Sequence, residues 1–198
     1  MVFTHLPLRR SIPAGIAAYI TGYVITVVVT RGVTPAVMAV TVAGRYADRS
    51  TLGEVFGAPP PHPVLAGWLF YNAQLVPTSV PTADVMNGLA LLTNRSLLLA
   101  VGGWWLLLAL VPAAVIVLSG YITVRTGQVH GVRGDTFGGA SVAAGYLPML
   151  VIGAFLLTTD VPNSAAVASP SGFISIFVGL VYAGLLGGLG GGLAGRLD

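Results

Sequence analysis

The stretch Gly67 to Gln74 reads GWLFYNAQ. It is too apolar and too aromatic for a solvated loop, yet it lies in the longest segment between apolar runs, residues 31–95. Its reading decides whether that segment is a soluble subdomain or part of a membrane-embedded fold. Val64 to Val76 is 13 residues, and a bilayer core takes about 20 helical residues to cross. Trp and Tyr favour the membrane–water interface, because each ring is apolar and each polar tip needs a hydrogen bond. Bracketed by prolines, the stretch reads as an interfacial or shallow re-entrant helix that caps a bundle. For Trp68, Tyr71, Asn72 and Gln74 two roles compete. One is anchoring at the membrane surface, the other is lining a ligand or partner site.

The rest of the chain favours a membrane fold. Its 198 residues are 8% charged, against about 25% in an ordinary soluble domain. Four apolar runs are long enough to span, at about 12–30, 97–124, 137–159 and 173–193. They are continuous rather than alternating, so they read as helices and not as barrel strands. The first could be mistaken for a signal peptide behind Arg9 and Arg10. Its length, and the lack of a small-x-small cleavage site after it, favour a retained anchor. The expected architecture is one all-α membrane domain, a four-helix bundle, with residues 31–95 as an extracytoplasmic cap.

All nine basic residues are Arg and none is Lys, which a GC-rich genome accounts for. They are scattered, so the net charge of +3 does not form the basic stripe that nucleic acid requires. Placing both termini in the cytoplasm puts Arg9, Arg10, Arg125, Arg133 and Arg196 inside, in the sense of the positive-inside rule. Within the cap, Thr51 and Glu54 have the spacing of a capping box. Pro59 to Pro63 forms a stiff extended piece. Thr82 or Asp84 is expected to cap a helix carrying Val85, Leu89 and Leu92 on one face.

The glycines of the last run fall in helical stripes. Gly184, Gly188 and Gly192 make two overlapping G-x-x-x-G steps, and Gly187, Gly191 and Gly195 make a second stripe beside them. Ala14, Ala18 and Gly22 give a weaker small-residue stripe on the first run. In lipid such stripes let helix backbones approach closely, inside one bundle or against another subunit. Pro112 and Pro148 fall inside the second and third runs and are expected to kink them.

Catalytic patterns are missing. There is no Cys, hence no thiolate metal site and no Cys nucleophile. His5, His62 and His130 are far apart. Asp135, near Arg133 and His130, reads as part of a solvated turn, so no ionisable residue is expected inside a span, where one would mark ion coupling. No catalytic residue, cofactor or metal is expected, and the chain reads as no enzyme.

Several segments resemble an uncharacterised family of small four-span haloarchaeal membrane proteins, whose members are sometimes labelled transporters without a defined substrate. These are LPLRR with GIAAYITGYVIT, then GWLFYNAQ, GASVAAGYLPMLVIGAFL and VYAGLLGGLGG. The resemblance covers most of the chain except Val33 to Pro63. It implies fold and lineage and supplies no site residues. The leading expectation is a structural or accessory membrane protein, packing with itself or within a larger complex. The alternative is a small transporter or channel component for an uncharged or weakly polar solute. Its path would involve Ser141, Tyr146 and the amides of the cap.

Overall fold

A computed structural model describes residues 8–43, 49–81, 92–127, 132–162 and 167–197. The helix α1 (Leu8–Val29) leads to α2 (Thr34–Met38), a ribbon of β1 (Thr41–Ala43) and β2 (Arg49–Thr51), and α3 (Leu52–Phe56). α4 (His62–Asn72) carries most of GWLFYNAQ. β3 (Thr78–Pro81), β4 (Leu92–Arg95) and α5 (Leu97–Val101) follow, then a 3-10 stretch, Gly103–Ala109, and α6 (Leu110–Gly127). α7 (Val132–Ala140), α8 (Ala143–Leu156), β5 (Thr159–Asp160), β6 (Val167–Pro170) and α9 (Gly172–Ala194) complete the described chain.

Four helical segments are long and apolar enough to cross a membrane: Arg9–Val29, Gly103–Gly127, Gly134–Leu156 and Gly172–Ala194. α1 packs against α6 and α8, while α9 packs against α6, α7 and α8. The segments therefore close into a ring of neighbours. Large apolar side chains such as Val28, Leu118, Phe155, Phe177 and Leu185 point outward and are exposed. A monomer in water does not display that much apolar surface; a lipid-facing one must.

Glycine sets the closest helix contacts. A methyl group at Gly15 would overlap Val142 O on the segment entering α8, and one at Gly145 would overlap Ile12 O on α1. These two helices therefore meet backbone to backbone. On α9 the side facing α6 and α7 is the Gly187, Gly190 and Gly191 side. A Cβ at Gly187 would press on Gly139 O, one at Gly190 on Val117 O, and one at Gly191 on Asp135 O.

Two of the expected spans are interrupted. The second was read as continuous from 97, but Gly102 and Gly103 adopt positive φ, 64° and 62°. That conformation suits glycine alone, and it separates α5 from the membrane-length helix. Pro112 then lies in the first turn of α6, just past the 3-10 stretch. The third segment breaks at Ser141 and Val142, between α7 and α8, and α8 continues through Pro148. At the break the Ser141 hydroxyl donates to Gly138 O at 2.6 Å, a local bond of the kind that competes with the helical ladder.

The segment expected to form a cap, residues 31–95, is not purely helical. An antiparallel sheet in the order β4-β3-β6-β5 joins the 78–95 region to the connection between α8 and α9. Thr78 pairs with Arg95 on one side and with Pro170 on the other. Ser171 N donates to Pro77 O at 3.0 Å, fixing the start of α9 to this sheet. The capping box at α3 is formed: Thr51 N donates to Glu54 Oε2 at 2.6 Å and Glu54 N to Thr51 Oγ1 at 3.3 Å. The helix expected from Thr82 falls outside the described residues, apart from Leu92, which opens β4.

Candidate functional site

α4 was expected at an interface or in a shallow dip. The structure places it in the protein core: Trp68, Tyr71 and Gln74 are 0% exposed and Asn72 is 3%. It starts beside the end of α1, where His62 Nε2 lies 3.1 Å from Thr30 O. One residue further, the Tyr23 hydroxyl donates to Pro63 O at 3.1 Å. Phe70 reaches the level of Gly22, where a Cβ would stand 2.9 Å from its ring. Thr30 to Gly22 is eight residues, about 12 Å of helix rise. α4 therefore enters the bundle along α1 instead of lying across its end.

A buried polar side chain must find a partner, and so must the free backbone groups at helix ends. α4 couples these two requirements. The Trp68 indole N–H donates at 2.8 Å to Leu157 O, the carbonyl that ends α8. Asn72 Oδ1 accepts the backbone N–H of Leu97 and, at 3.3 Å, that of Leu98, the first residues of α5. Asn72 Nδ2 donates to Val76 O at 2.8 Å and to Thr78 Oγ1 at 3.0 Å. Gln74 Nε2 donates to Phe70 O at 3.1 Å, in the last turn of α4 itself. His62 serves the last carbonyl of the α1 region in the same way. A single helix thus closes the ends of three others.

Three phenols complete the cluster. Tyr71 donates to Leu150 O on α8. Its hydroxyl also lies 3.1 Å from that of Tyr19; since its one proton is already committed, Tyr19 is the donor there. Burial, with the neighbouring Tyr19 adding to it, pushes the Tyr71 phenol well above its ordinary range, so that proton stays in place. Tyr146 donates to Gln74 Oε1 at 2.7 Å. Gly153 makes room for the pair, since a Cβ there would overlap the Tyr19 hydroxyl and stand 2.5 Å from that of Tyr71.

The remaining sequence candidates are dispersed. Ala18 and Gly22 are buried on α1, while Ala14 lines a groove at the opposite end. A Cβ at Gly188 would stand 3.3 Å from Thr136 Cγ2 and one at Gly192 3.4 Å from Thr136 Oγ1, while one at Gly184 would meet nothing within 4 Å. Ser141 and Tyr146 are both engaged in the bonds described above. Asp135 is a correction: it was read as part of a solvated turn outside any span. It is 3% exposed, in the first turn of the third apolar segment, and a Cβ at Gly195 would overlap its carboxylate. No group of three or more His, Cys, Asp or Glu side chains among the described residues could hold a metal ion.

The capping roles of Trp68 and Asn72 have no signature in sequence. Their partners lie 89 and 25 residues away, and no fixed spacing links them. What the sequence does carry is a cost: an amide in an apolar segment is unfavourable unless it is bonded.

The fold defines a small, mostly helical protein with four membrane-length apolar segments, whose buried helix α4 is bonded to its own frame. Residues 3–198 match the model of a family of unknown function, DUF7978, and the chain belongs to that family. No curated protein and no solved structure matches it.

Proposed function

We propose that the protein is a non-enzymatic structural or accessory component of the cell membrane. The observation that carries this reading is the internal bonding of α4 and the turn after it: Trp68, Tyr71, Asn72 and Gln74 all bond to groups of the same chain. Polar side chains positioned for a substrate keep donors or acceptors unspent; Trp68 and Asn72 spend all of theirs inside the chain, and Tyr71 and Gln74 spend most of theirs. What the molecule offers outward is a rigid apolar surface for lipid or for neighbouring subunits. The arginine distribution supports cytoplasmic termini with the α4 end outside. The lysine-free composition supports a haloarchaeal origin.

A second reading is a small transporter or channel component. It is favoured by α4 entering the bundle and by the break at Ser141–Val142, because interrupted helices are a recurring feature of solute sites in membranes. Native mass spectrometry of the protein purified from its own host in mild detergent separates the two. Other subunits in fixed ratio support the accessory role. A lone chain that carries solute flux in liposomes would replace it with the transport role.

A further inference from the structure

The end of the bundle opposite α4 carries a different feature. A groove of about 400 Å³ lies between the first turns of α1 and the last turns of α6. Arg9 and Arg10 stand at its rim, Pro13, Ala14 and Ile122 form its apolar wall, and Thr126 closes it; no carboxylate among the described residues lines it. Arg10 donates to Thr126 O, which ties the two helices and neutralises the carbonyl end of α6. Arg9 is exposed, and none of its bonds is spent on a described carboxylate.

We propose that this groove binds an anionic membrane lipid, with the headgroup phosphate at Arg9 and Arg10 and an acyl chain along Pro13, Ala14 and Ile122. The charge selects an anion, and the apolar wall requires that the anion bring hydrocarbon with it. The position fits too: Arg9 and Arg10 are the first two residues of the first membrane-length segment, Arg9–Val29, at the level where a headgroup sits. Basic grooves between spanning helices are suited to such headgroups, and Arg offers a phosphate two parallel N–H donors. The inference is independent of whether the protein is an accessory subunit or a transporter.

The test is native mass spectrometry of the full chain, titrated with phosphatidylglycerol or phosphatidylcholine in detergent. The expected result is one phosphatidylglycerol retained per chain and no comparable phosphatidylcholine. Arg9→Gln with Arg10→Gln should weaken phosphatidylglycerol retention by about tenfold or more. Arg31→Gln, an exposed arginine at the other end of α1, should leave it unchanged. Ile122→Trp fills the apolar wall with both arginines intact and should also abolish retention; it decides the matter if the double variant does not fold. Equal binding of the two lipids overturns the proposal, as does wild-type retention in Ile122→Trp. Displacement of the lipid by millimolar inorganic phosphate would assign the site to free phosphate instead, and likewise overturns it.

Discussion

The indole nitrogen of Trp68 donates a 2.8 Å hydrogen bond to Leu157 O, the carbonyl that terminates α8. A helix end inside an apolar bundle has no water to complete its bonding, so a side chain from another element must do so. Trp68→Phe keeps an aromatic ring, gives up the pyrrole half of the indole and removes the donor. It should lower stability by about 1–3 kcal/mol, the penalty for a buried carbonyl left unpaired. Thermal unfolding in detergent, read by circular dichroism, should show the lower midpoint; an unchanged midpoint would mean that water reaches Leu157.

Asn72 serves α5 in the same manner through Oδ1, while its Nδ2 holds Val76 O and Thr78 Oγ1. Asn72→Ala strands the N–H groups of Leu97 and Leu98 and should cost about 1–3 kcal/mol per group left unsatisfied. Asn72→Asp keeps the acceptor and loses the donors to Val76 O and Thr78 Oγ1. Hydrogen exchange should locate the damage of the Ala variant at the start of α5. Protection there equal to wild type would refute the capping role.

Gly187 and Gly184, one from each glycine stripe of α9, should respond in opposite ways. Gly187→Ala drives a methyl into Gly139 O, a backbone atom that cannot step aside. The overpacking penalty is about 1–3 kcal/mol. Gly184→Ala meets nothing within 4 Å and should gain up to about 1 kcal/mol from helix propensity. Comparing unfolding midpoints of the two variants tests the packing directly. Equal effects would show that Gly184 also faces a neighbour.

Tyr146 and Gln74 form a buried hydrogen-bonded pair suited to a double-mutant cycle. Tyr146→Phe and Gln74→Met should each destabilise, and the double variant should lose less than the sum. A coupling of about 1 kcal/mol is expected for adjacent hydrogen-bonded residues. Strict additivity in the same unfolding assay would argue that the bond contributes nothing.

The four spanning segments were legible in the sequence because hydropathy is a local sum, and each apolar run carries its own evidence. The capping box at Thr51 and Glu54 was legible for the same reason: its partners are three residues apart. The position of α4 was not. Trp68, Tyr71 and Asn72 look the same in sequence whether they face headgroups or a core, and their partners lie far along the chain. The buried place of Asp135 was equally hidden, because it depends on the missing side chain of Gly195 on a distant helix.

By itself the sequence determined that the chain is a bundle of apolar helices rich in small residues, since composition and run length are properties of each segment alone. Only the tertiary structure decided which glycine stripe carries the contacts of α9, where the third segment breaks, and what GWLFYNAQ is for. Those answers depend on how closely two backbones approach and on which helix ends are left without water. Both are set by neighbours in space, not in sequence.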